Sequence, residues 1–153
     1  MHLIYIIIGD GPYKEKLEFL IIQFKLEKNI LVLDKISDEK LKVYYNLADL
    51  FVMPSRDIKG DVEGFGIVYL EANSFGLPVI AGRSGGVMEA VLDNETGLLV
   101  DPENEEDVYT KIVEVFTNQE LYNKLSVNGK IRAEKEFRWD IQVEKLKRRI
   151  NGK

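Results

Sequence analysis

Glu63-Gly64-Phe65-Gly66-Ile67-Val68-Tyr69-Leu70-Glu71 joins two glutamates, eight positions apart, through a Gly-x-Gly turn and an apolar run that reads as the start of a helix. A helix beginning near Gly66 presents unpaired backbone N–H groups, and the positive end of its dipole, to whatever anion lies before it. Glycine at 64 and 66 removes side chains from that approach and opens backbone angles closed to other residues. Glu71 falls one turn beyond Ile67 on the same face. Helical side chains lean toward the N-terminus, so its carboxylate hangs beside the anion rather than on it. Two carboxylate oxygens there suit the two O–H donors of a neighbouring diol.

The flanking residues decide the setting. Asp49-Leu50-Phe51-Val52-Met53-Pro54-Ser55 reads as a buried strand entering a long polar loop, and Leu77-Pro78-Val79-Ile80-Ala81-Gly82 as the next strand. The turn therefore stands at the carboxyl end of a strand, where open parallel sheets take their ligands. A Gly-x-Gly turn before a helix is also an ordinary structural connection in α/β proteins, and the motif alone does not separate the two.

Working outward, Leu3-Ile4-Tyr5-Ile6-Ile7-Ile8 is an apolar run ended by Gly9-Asp10-Gly11-Pro12. Such a run predicts a strand covered on both faces. Leu17, Leu20, Ile21 and Phe24 recur at helical spacing and predict a covering helix over 13–25. A second strand is expected over 29–33. Ser37-Asp38-Glu39 supplies an N-cap and first-turn acids for a helix to about 46. Further strands are expected over 50–53, 78–81 and 97–100, then helices over 104–116, 119–136 and 140–150, with Phe137 and Trp139 fixing the last break. Strands alternating with helices imply parallel βαβ units and the α/β class, a Rossmann-like sheet of about five strands in a single domain over 1–153 that ends in a C-terminal helical segment, 137–153.

Composition narrows the function. The chain has 153 residues, 45% hydrophobic and 31% charged, which suits a globular domain with a sizeable core. It has no cysteine, which removes disulfides and thiolate metal sites and fits a cytoplasmic protein. A net charge of −5 argues against a nucleic-acid partner, which calls for a basic stripe. No apolar run is long enough to span a membrane. His2 is the sole histidine and stands at the terminus as a bystander. Gly9-Asp10-Gly11-Pro12 reads as a tight strand-to-helix turn. Arg56, Lys59 and Arg83 lie in loops at the ligand end, as solvated cations or as contacts for a diphosphate. Tyr44, Tyr45 and Tyr69 read as core or rim aromatics.

Pro54-Ser55, Glu63-Gly64-Phe65-Gly66, Glu71-Ala72, Gly76-Leu77-Pro78-Val79-Ile80-Ala81, Gly85-Gly86, Glu89 and Thr96-Gly97-Leu98-Leu99-Val100 together resemble the donor-binding, C-terminal domain of GT-B retaining glycosyltransferases, the large family 4 group. The wording over 61–72 is especially similar to mannosyltransferases acting on phosphatidylinositol mannosides. The resemblance covers nearly the whole chain and is specific to the family, not to a substrate.

The resemblance implies a hexosyltransferase of polysaccharide or glycolipid biosynthesis, with a nucleotide diphosphate sugar as donor, a glycan or lipid as acceptor, and no metal or other cofactor. Glu63 would be the catalytic residue facing the transferred sugar. Gly64, Phe65, Gly66 and Ile67 would meet sugar hydroxyls and diphosphate through their amides, Glu71 would hold the ribose, and Lys35 and Ile36 would back the base. Relatives of this kind carry one more strand before residue 1, whose loop supplies an arginine and a lysine, and a second domain that binds the acceptor. The expectation is a donor-binding fragment, inactive alone, whose full enzyme meets membranes peripherally. Residues 3–8 are expected to pair directly with 50–53, unless another chain fills the gap as in a homo-oligomer. A catalytically inactive nucleotide-sugar binder and a GT-B sugar-nucleotide epimerase are the alternatives.

Overall fold

The computed structural model describes residues 3–56, 64–150 and 152. Glu63, Lys59 and His2, singled out above, lie outside the described residues. The chain divides into two compact units, Met1–Tyr44 and Tyr45–Lys153.

The first unit contains β1 (Tyr5–Ile8), α1 (Lys14–Gln23), β2 (Ile30–Leu33) and the start of α2 (Asp38–Leu47). β1 and β2 pair in parallel, with Tyr5 opposite Ile30 and Ile8 opposite Leu33. Gly9 N–H extends the ladder to Leu33 O at 3.0 Å, and the turn after it satisfies itself locally: Gly11 N–H donates to Asp10 Oδ1 at 2.8 Å and Lys14 N–H to Gly11 O at 3.1 Å. The strand-to-helix reading of that loop holds. The expectation of two covered faces does not, since Ile4 and Tyr5 are about half exposed. Phe24, placed on the covering face, is 63% exposed, and only Ile21 of α1 is buried. A two-stranded ladder with short helices has too little surface to cover a continuous apolar run on both sides.

The second unit holds β3 (Phe51–Met53), α3 (Ile67–Ser74), β4 (Val79–Gly82), α4 (Val87–Ala90), β5 (Leu98–Val100), α5 (Glu105–Thr117), α6 (Gln119–Glu136) and α7 (Trp139–Ile150). Its strands form a parallel ladder in the order β3-β4-β5, with Val52 opposite Ile80 and Ile80 opposite Leu98. Within each unit the strands pair in parallel and alternate with helices, as the α/β reading requires. They form two ladders, β1 with β2 and β3 with β4 and β5. The anticipated pairing of 3–8 with 50–53 is not among them.

β4 is buried at all four positions because it has a strand on each side and α3 and α5 packed against it. Ile80, Leu98, Val100, Val115 and Leu125 form the core beside it, with Val52, Ile112 and Leu121 packed against them. Each such side chain contributes about 1.5–3 kcal/mol on burial. Asn104 caps α5, its side chain accepting from the N–H groups of Glu106 and Asp107, and Asn118 caps α6 by accepting from Leu121. α3 packs closely on α6. Buried Asn73 donates to Leu77 O at 3.1 Å and Thr96 O at 3.2 Å, and a Cβ at Gly129 would stand 2.5 Å from its amide nitrogen. Only glycine permits that approach.

Phe137 ends α6 and packs on Phe65 at 5.6 Å, with the Arg132 guanidinium 4.8 Å from its ring centroid. Trp139, expected to help fix this break, is 80% exposed, so Phe137 does so alone.

Tyr69 anchors the exit from β3. It is fully buried and donates to Met53 O at 2.8 Å, so its oxygen accepts the Ser55 hydroxyl at 2.8 Å. Tyr69→Phe keeps the ring but removes the bond to Met53 O, which then relies on Ser55 N–H, and takes away the acceptor of the Ser55 hydroxyl in a part-buried setting. We expect a loss of about 1–2 kcal/mol in chemical denaturation. A stability within error of the parent would show that the pair only decorates the loop.

Candidate functional site

The site forms where β3 hands over to α3. Gly66 caps α3 in the left-handed region, at φ 76° and ψ 54°, and has no side chain of its own to accept from the first-turn amides. A residue with a Cβ resists that conformation, so glycine fixes the direction in which the helix start points. A side-chain cap would occupy the donors. With glycine at the cap, the Tyr69 N–H turns back to Gly66 O at 3.0 Å, and the N–H groups of Ile67 and Val68 head the helix at the end where an anion is met. Met53, Phe65, Gly66, Ile67 and Val68 line an open depression of about 400 Å³ at this point. A larger one, about 500 Å³, is lined by Asp140, Ile141, Glu144, Lys145 and Arg148 of α7 alone, and is one flank of a helix rather than a converging site.

Two supports hold the turn. Phe65 is anchored on Phe137, and the Arg132 beneath that ring donates to Ala90 O at 2.6 Å and Glu89 O at 2.7 Å, tying α6 to the end of α4. Gly86 supplies the second. A Cβ built there would lie 1.8 Å from Gly64 O and 3.4 Å from Phe65 Cα. Gly86 thus lets two backbones touch, a role the sequence does not disclose.

Glu71 is exposed on α3, on the same face as Ile67. Its Oε2 accepts the Tyr45 hydroxyl at 3.3 Å. Tyr45 is itself buried, stacked on Phe75 at 5.2 Å and tilted against Phe51 at 6.0 Å. Burial, and then the Glu71 charge, push the phenol well above the usual tyrosine range, so it remains a donor at any physiological pH. Tyr45 and Tyr69 are core aromatics, as expected. Their hydroxyl partners were not legible, because side-chain pairing across 26 or 16 residues leaves no periodic trace.

The remaining candidates divide. Gly64, Phe65, Gly66 and Ile67 form one turn, with Glu71 one helical turn on. Arg56 is exposed just beyond β3. Arg83 follows β4, but its guanidinium is turned within the chain toward Asp93 Oδ2 and Leu99 O, both at 3.4 Å. Contact with a diphosphate would require it to leave Asp93. Lys35 and Ile36 belong to the first unit and follow β2 directly, Lys35 exposed and Ile36 partly buried. Among the described residues no cluster of three or more metal-ligating side chains occurs, and no helix is long and apolar enough to cross a membrane.

Known proteins resemble this chain in sequence and fold. A GDP-mannose-dependent alpha-(1-6)-phosphatidylinositol monomannoside mannosyltransferase of Mycolicibacterium smegmatis is 34% identical over 149 residues, which is 96% of this chain and 39% of that protein. The sucrose-phosphate synthase of Thermosynechococcus elongatus superposes with a TM-score of 0.80 at 29% identity, over 96% of this chain and 38% of its own. An Anabaena HepE structure in complex with UDP has the same fold, with a TM-score of 0.88 at 22% identity, over 99% of this chain and 41% of its own. The chain thus spans about 39% of the length of its mannosyltransferase relative. The family described as Glycosyl transferases group 1 matches residues 2–132, and the chain belongs to it.

Proposed function

We propose that this chain is the donor-binding part of a retaining glycosyltransferase that moves a hexose from a nucleotide diphosphate sugar to a glycan or lipid acceptor. One observation carries the reading: in a chain of this family, the glycine-capped start of α3 opens at the carboxyl end of β3 with the Glu71 carboxylate one turn away. That pairing supplies main-chain donors and dipole for a diphosphate, and an acceptor for a ribose diol. The mannosyltransferase relative takes GDP-mannose, as its name states, which supports a nucleotide diphosphate sugar here.

In the proposed reaction the diphosphate leaves with its negative charge met by the amides of the 64–67 turn. The helix dipole adds about 0.3–1 kcal/mol, and Arg56 lies at the same end of β3 to add charge-assisted bonds. No metal enters the scheme. By the family resemblance, Glu63 faces the transferred sugar, and Lys35 with Ile36 backs the base. The acceptor and any membrane surface are met by the full enzyme.

Titration calorimetry tests this. Glu71→Gln should weaken the preferred nucleoside diphosphate by about 1.5–3 kcal/mol, the scale of a hydrogen bond to a charged group, with the fold intact. Glu63→Gln should spare the free nucleotide and weaken only its sugar conjugate. Equal losses for both ligands in both variants would refute the division of roles, and no binding by any nucleoside diphosphate would refute the assignment.

A further inference from the structure

We infer that Tyr45 is a positioning residue that aims the Glu71 carboxylate at the ribose, and so sets how strictly the site demands a free 2′,3′-diol. The inference rests on the donor-site reading of Glu71 given above.

Glu71 is an exposed glutamate on a helix, and such a side chain ordinarily samples several rotamers at a cost in binding entropy. Here one oxygen is tethered. Tyr45 OH donates to Oε2 at 3.3 Å, which leaves Oε1 and the second lone pair of Oε2 for a ligand. The donor is rigid, since the ring is buried between Phe75 and Phe51, and Phe51 in turn meets buried Tyr69 edge-on at 6.0 Å. Tyr69 is fastened to Met53 O and Ser55, at the strand end from which the loop to α3 departs. One packed aromatic row thus serves both sides of the site: Tyr69 holds the strand exit, and Tyr45 holds the carboxylate. A carboxylate fixed in advance gains most where two hydroxyls must be met together, as in a cis-diol. It gains nothing toward a ligand that lacks them.

Tyr45→Phe removes one oxygen and keeps the ring, so packing should survive. The measurement is the calorimetric affinity of the full chain for GDP and UDP, each set beside its 2′,3′-dideoxy counterpart, with melting temperatures recorded for every variant. For the nucleotide that binds, the parent should favour the ribose form about tenfold or more. Tyr45→Phe should cut that preference roughly three- to tenfold, the size of one hydrogen bond, and leave the dideoxy affinity unchanged. Equal weakening of both forms would mark Tyr45 as merely structural and overturn the inference. So would an unchanged preference in Tyr45→Phe while Glu71→Gln abolishes it, an outcome that leaves the Glu71 reading standing. A parent with no preference for ribose would overturn both.

Discussion

Gly82→Ala should destabilise the chain by about 3 kcal/mol or more, the upper range for forcing extra volume into a packed core. For a chain of this size that corresponds to a fall in melting temperature of roughly 6–12 °C. Gly82 ends β4, opposite Val100. A Cβ there would lie 1.9 Å from Ser55 O and 2.9 Å from both Ser55 C and N. Those atoms are main chain and have no rotamer to escape into. Nor is Ser55 free to withdraw, because its N–H donates to Met53 O at 2.8 Å and its hydroxyl meets Tyr69. The strain must therefore be relieved by parting β3 from β4. Gly11→Ala is the control: nothing lies within 4 Å of the added carbon and its φ is ordinary, so stability should change by less than about 1 kcal/mol. Thermal unfolding followed by circular dichroism compares the two. Equal melting temperatures would mean that the β3–β4 contact at Ser55 is looser than the geometry shows.

How far the sequence discloses this molecule depends on the range of the interaction. Periodicity is local, so α6 has the predicted bounds and the other predicted helices and strands begin or end within a residue or two. α4 escaped notice because four residues are too few to show a period. Strand pairing is not local, and an apolar run such as 3–8 reports a buried strand without naming its partner or how fully it is covered. The candidate site follows the same rule. The 64–71 turn is contiguous and could be read directly. The Tyr45 hydroxyl on Glu71, the diversion of Arg83 to Asp93 and the contact of Gly86 with Gly64 all join residues distant in sequence. Gly85-Gly86 advertised only that side chains are absent, and not which backbone fills the space.

That last contact carries the largest expected effect on binding. Gly86 has φ −78° and ψ 2°, which alanine adopts without strain, so the cost of Gly86→Ala falls on what it touches. The added carbon would sit 1.8 Å from Gly64 O and 2.9 Å from Gly64 C, and the turn must move by an ångström or more. Gly64 is exposed in a connection between elements rather than pinned in the core, so the turn yields at little expense to global stability. Its amides do not tolerate the move. Hydrogen bonds to a diphosphate fail beyond about 3.2 Å, and losing two charge-assisted bonds at about 1.5–3 kcal/mol each removes roughly 3–6 kcal/mol. Affinity for a nucleoside diphosphate should fall about a hundred- to ten-thousandfold. The parent nucleoside, which makes no diphosphate contact, should bind Gly86→Ala as it binds the unaltered chain, however weakly. Calorimetry with both ligands, beside a melting curve, separates the cases. A diphosphate affinity within threefold of the parent would show that the 64–67 turn does not bind phosphate, whereas equal losses for nucleoside and diphosphate would trace the defect to misfolding.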